Sequence, residues 1–103
     1  FPTRRSSDLQ AYINEIEPMM EAAMFDQLDE SQFVSKTDAF NTYLTELSST
    51  TNDSQVREYI ELQTQANNAR LIAVSQNNAE QITESTRLQY EASTLYDKIM
   101  ASE

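Results

Sequence analysis

Carboxylates are the only groups numerous enough to suggest acid–base or metal chemistry, and they gather in three sets. These are Glu15, Glu17 and Glu21, then Asp26, Asp29 and Glu30, then Glu80 and Glu84. Paired carboxylates serve glycosidases or hold hard cations, but only where two or more converge in a protected site. Here their spacing puts them on the solvent side of helical segments, and none follows a calcium-loop pattern. The sequence contains no His and no Cys. That removes Ser-His-Asp and Cys-His constellations, ordinary zinc sites and the Glu-x-x-His pairs of di-iron bundles. Glycine is also absent, so no phosphate-cradling loop can be built. The reading is a non-enzymatic chain with no catalytic, cofactor-binding or metal-ligating residue, and no cofactor.

Three further groups bear on binding. Met19, Met20 and Met24 would suit an adaptable groove for a partner helix, although methionine at helical spacing also fills cores. Tyr12, Tyr43, Tyr59, Tyr90 and Tyr96 would stack on a ligand, or would bury their rings and leave hydroxyls at the edge. Arg57, Arg70 and Arg87 are the guanidinium groups after residue 9. Two of them facing one inter-helix cleft would hold a carboxylate ligand; as separate surface charges they would balance Glu58, Glu61, Glu84 and Glu91.

The elements that must position these groups are helices. Without glycine, turns that need positive φ must use Asn or Asp, which disfavours sheets with tight hairpins. Proline occurs only at Pro2 and Pro18, and Ala, Leu, Glu, Gln and Met are plentiful. A first apolar stripe comprises Tyr12, Ile13, Ile16, Met19, Met20, Ala23, Met24 and Leu28, with Pro18 either kinking this helix or starting it. A second comprises Phe33, Phe40, Tyr43, Leu44 and Leu47, with Ser35 or Thr37 as N-cap candidates. The connector Ser48 to Asp53 follows, and Asn52 with Gln55 has capping-box spacing. A third stripe holds Tyr59, Leu62, Ala66, Ala69 and Ala73, flanked by Val56, Ile60 and Val74; a fourth holds Ile82, Ser85, Leu88, Ala92, Leu95 and Ile99. Expected helices cover about 10–30, 33–49, 54–76 and 79–101.

Whether the third and fourth stripes form one helix decides the architecture. Ser75, Gln76, Asn77 and Asn78 are poor helix formers, and Asn77 with Glu80 again has capping-box spacing. A reversal there gives an all-α, antiparallel four-helix bundle. Without it, residues 54–101 make one helix of about 70 Å, and the molecule becomes a long helical hairpin that dimerises to cover its seams.

The formal charge of −10, from 7 basic and 17 acidic residues, argues against nucleic acid or an anionic membrane surface as partner. A protein or small ligand remains as the expected partner, with a homodimer as the alternative state. The 37 Asn, Gln, Ser and Thr outnumber the 24 charged residues, so tertiary packing must carry these helices more than surface ion pairs do.

Residues 1–9 read Phe-Pro-Thr-Arg-Arg-Ser-Ser-Asp-Leu and resemble the translation of one frame of a common sequencing adapter. They are therefore set aside as a non-native segment, and residues 10–103 are taken as a single helical domain. From Ala11 onward the layout resembles small helical lipoproteins or secreted proteins of Gram-positive bacteria. The features are Tyr12, Ile13, Ile16 and Pro18, the connector before Val56, the Asn77-Asn78 turn, and the closing Ile82, Glu84, Glu91, Ala92, Leu95 and Tyr96. That resemblance implies an extracytoplasmic protein, secreted or lipid-anchored, with a binding or cell-envelope accessory role and no catalytic residues. The lipid-bearing Cys of such proteins is missing from this sequence. The alternative is the ligand-sensing four-helix domain of chemoreceptor-like signalling proteins, which implies dimerisation and an inter-helix ligand cleft.

Overall fold

A computed structural model describes residues 3–25 and 27–102. Four helices account for nearly all of them: α1 (Thr3–Met24), α2 (Glu30–Ser49), α3 (Ser54–Gln76) and α4 (Ala79–Ala101). There is no strand among the described residues. Each helix is about 30–35 Å long at 1.5 Å per residue, and the short connectors force the chain to double back each time. The result is an antiparallel four-helix bundle, 41 × 22 × 19 Å, too short for the long hairpin.

The connector between α3 and α4 shows how a chain without glycine reverses. Asn77 adopts the left-handed conformation at φ 49° and ψ 49°, the only positive φ among the described residues. The amide of Asn78 then reaches back to the Ala73 carbonyl at 3.1 Å, the six-to-one bond of a Schellman ending. Asn78 in turn caps α4, its side-chain oxygen accepting from the amides of Glu80 at 3.0 Å and Gln81 at 3.4 Å. Two adjacent asparagines thus end one helix and begin the next.

The bounds of α1, the start of α2 and the caps of α2 and α3 differ from the sequence reading. α1 starts at Thr3 and stops at Met24, displaced from the expected 10–30. The residues set aside as adapter-like are helical from Thr3, and Leu9 is fully buried in the main core. Pro18 lies inside α1 and does not start it. α2 opens at Glu30 because Asp29 caps it, accepting from the Ser31 amide at 3.0 Å. Ser35 and Thr37, the expected caps, lie within α2; Thr37 is buried and its hydroxyl donates to the Phe33 carbonyl at 2.9 Å. Asp53, not Asn52, caps α3, accepting from Gln55 at 2.9 Å and Val56 at 3.4 Å. An aspartate beside an asparagine wins the cap because its carboxylate accepts more strongly from the helix amides.

The main core draws on all four helices: Leu9 and Ile16, Phe40, Leu44 and Leu47, Val56, Tyr59 and Ile60, Ala92 and Ile99. Tyr12 stacks flat on Phe40, centroids 4.8 Å apart, and leans on Tyr43. A smaller cluster of Ala66, Ala69 and Leu88 joins α3 to α4. These alanines let the two backbones approach closely. α1 packs against α2 and α3, but none of its described Cα atoms comes within 8 Å of one in α4. That separation creates the site described next.

Candidate functional site

α1 and α4 flank α3 without closing over it, leaving a cleft of about 640 Å³. From α1 and the turn after it come Glu17, Met20, Glu21, Met24 and Phe25. From α4 come Ile82, Ser85, Thr86, Gln89, Tyr90 and Ser93, and α3 contributes Arg70. Volume and lining fall within the range of small-molecule sites, which are mostly apolar with a few placed polar groups. Phe25 and Tyr90 at the rim are 69% and 74% exposed, unusual for side chains of this size.

At the floor, Arg70 of α3 and Gln89 of α4 belong to a buried polar network that runs along the inward face of α3. Residues 56, 59, 63, 66, 70 and 73 follow the alternating three- and four-residue spacing that keeps one stripe turned inward. Val56, Tyr59, Ala66 and Ala73 on that stripe are apolar or aromatic, whereas Gln63 and Arg70 are not, and all six are buried. Gln63 and the buried Gln89 of α4 exchange two amide hydrogen bonds, at 2.7 and 3.0 Å. The Gln63 amide also donates to Asn67 at 3.2 Å, and Gln89 donates to the Ser93 hydroxyl at 3.2 Å. Asn67 donates to Asn41 of α2 at 2.9 Å and accepts from Arg70 Nη1 at 3.1 Å. Tyr59 closes the far end of this chain, its hydroxyl 3.4 Å from Gln63 Oε1; burial, with Tyr96 adding, pushes its phenol well above the usual range.

Arg70 stands where this network meets the cleft. It is 2% exposed, and burial pulls its guanidinium below the ordinary arginine range, opposed by the charge of Glu17. Its only ion pair among the described residues is Nη2 to Glu17 Oε1 at 3.4 Å, and the Glu17 side chain is 55% exposed. Nε is sealed from solvent and meets no hydrogen-bond acceptor among the described residues. A desolvated cation therefore rests on one amide oxygen and one long contact to a carboxylate that remains in water. Buried guanidinium groups ordinarily recover their lost hydration through close, multiple, charge-assisted bonds.

The remaining candidates are scattered. Arg87 bonds Glu84 and Glu91 on the outer face of α4, as surface balancing requires; the hydrogen bonds from Arg87 hold the Glu84 carboxyl below its usual range. Arg57 turns to the Thr51 carbonyl at the α2–α3 connector, at 3.0 and 3.2 Å, so two arginines do not share a cleft. Met20 and Met24 line the cleft, whereas Met19 faces α2 near Lys36 and Ala39. Tyr12 and Tyr43 pack with Phe40, Tyr59 leans on Tyr96 at 5.7 Å, and Tyr90 alone reaches the cleft mouth. No three acidic residues among those described converge on a metal-sized site; Asp26 lies outside the described residues. No described helix is long and apolar enough to cross a membrane. Comparison with known proteins gives no matching family, no matching curated protein and no matching solved structure.

Proposed function

We propose that this chain is a non-enzymatic, extracytoplasmic binding protein that takes a small molecule into the cleft between α1 and α4. The carrying observation is the cleft itself: apolar walls and two exposed aromatic side chains surround a floor whose polar groups belong to a buried network. Such a network fixes the floor, so that little ordering remains to be done when a ligand enters. The extracytoplasmic assignment is supported by a surface rich in uncharged polar groups and poor in lysine, of which only Lys36 and Lys98 are present. Sequencing the gene upstream of codon 10 tests it: a signal peptide with a lipid-bearing Cys supports the assignment, and a continuous cytosolic reading frame refutes it.

The position of the cleft also favours a second reading, a ligand-sensing domain. α1 and α4 are the first and last helices, so a ligand bridging them would couple occupancy to the relative position of the two ends. Hydrophobic spans on both sides of the domain in the full gene would support that reading.

The cleft is tested by titrating the uncharged aromatic 2-naphthol into ¹⁵N-labelled protein. Saturable shifts should concentrate on residues 17–25 and 82–93. Ser93→Trp, which fills the cleft from α4, should abolish them without altering the remaining spectrum. Shifts spread over the whole surface, or unchanged by Ser93→Trp, would refute the assignment.

A further inference from the structure

The cleft holds three charges: Glu17 and Glu21 at its mouth and Arg70 at its floor. By count the site is acidic and would suit a cation. Burial reverses the ranking. Both glutamates are exposed, and a charge in water gains little from a partner, whereas Arg70 is desolvated and gains most from a close anion. The arginine presents its unmet capacity in a specific shape. Nε and Nη2 form one edge of the guanidinium plane, and a carboxylate binds that edge through two parallel hydrogen bonds. Glu17 reaches only Nη2, at 3.4 Å, and leaves Nε without an acceptor. It occupies half of a two-pronged site from the cleft side.

Resting on the reading of the cleft as a small-molecule site, we propose that its ligand is a small carboxylic acid with a flat apolar body. The ligand carboxylate displaces Glu17 into water, where that side chain already half resides, and the opening this leaves admits it to the otherwise sealed Nε–Nη2 edge of Arg70. The body lies between Met20 and Met24 on one wall and Ile82 on the other, with Phe25 and Tyr90 at the rim. Two methionines adapt to ring outline, and two aromatic side chains offer faces for stacking. Ser93, which accepts from Gln89, offers its hydroxyl proton to a polar substituent. Glu17 is thereby an internal competitor that keeps the arginine partly paired when the site is empty.

Three compounds with one body and different heads decide the matter: naphthalene-2-carboxylate, naphthalene-2-carboxamide and 2-naphthylmethylammonium, each titrated calorimetrically and by ¹⁵N shifts. The carboxylate should bind about tenfold or more tighter than the amide, as a charge-assisted bidentate contact requires. Arg70→Gln should bring the carboxylate to the affinity of the amide. Glu17→Gln, a change at a half-exposed side chain that does not threaten the fold, should tighten the carboxylate several-fold and leave the amide unchanged. Preference for the ammonium compound, or a carboxylate weakened by Glu17→Gln, overturns the proposal. Equal binding of all three with shifts confined to the cleft also overturns it, while leaving the small-molecule reading intact. If no compound perturbs the cleft, both fall.

Discussion

Gln63 and Gln89 sit where a bundle of this size usually places leucine. Each satisfies the other through two amide bonds across the α3–α4 seam, so the pair is sustained by reciprocity. Removing one member leaves a buried amide short of its partner, which costs about 1–3 kcal/mol, whereas replacing both by similar apolar volume restores consistency. Gln89→Leu alone should therefore lower stability in urea, and Gln63→Leu with Gln89→Leu should cost less than the sum of the single changes. A coupling near zero in that double-mutant cycle would mean that the bonds contribute nothing to the fold. Neither glutamine belongs to an apolar stripe, so apolar residues alone do not reveal the pair. The signal was present in the spacing: extending Val56, Tyr59, Ala66 and Ala73 by their own three-and-four rhythm lands on Gln63 and Arg70. The expected stripe shares Tyr59, Ala66 and Ala73 but takes Leu62 and Ala69, each one residue before Gln63 and Arg70.

At the scale of elements, helix type and number were readable because long segments without glycine or interior proline repeat their apolar residues at helical intervals. The reversal at Asn77 and Asn78 was readable for a local reason: only Asn and Asp could take the left-handed turn in this chain. Starts and stops elsewhere depended on which of several polar neighbours wins a cap, and the sequence offers close rivals. Asp29 illustrates what the winner contributes. Its bonds from Ser31 hold its carboxyl below the usual range. A lowered folded value means that the cap stabilises α2 fully above the unfolded carboxyl's pKa and loses that effect as pH falls through the lowered value. Asp29→Asn keeps an acceptor but cannot titrate. The variant should flatten the acid limb of the α2 unfolding curve, followed by amide exchange; an unchanged limb would assign the acid sensitivity to other carboxylates. Leu9 lies among the residues set aside as adapter-like, and its side chain is fully buried in the main core.

The whole molecule is a bundle closed on three sides. α3 packs intimately on α4, α2 and α1 complete the core, and the missing α1–α4 contact leaves a cleft whose floor carries a poorly paired buried arginine. A fold selected for stability alone would place a methionine or leucine at position 70, because an isolated desolvated cation costs more than the apolar side chain that could replace it. Under the proposed reading, its presence marks a binding site kept at some cost to the fold. The direct measurement is the urea stability of Arg70→Met beside its binding of naphthalene-2-carboxylate. Removing the guanidinium strands no buried charge, since Glu17 stays in water and Asn67 keeps the Gln63 amide. The variant should be as stable as the parent, or more stable by about 1 kcal/mol, and should lose its preference for the carboxylate. Loss of more than about 2 kcal/mol, on the scale of breaking a well-formed buried pair, would make Arg70 a structural residue and contradict the account.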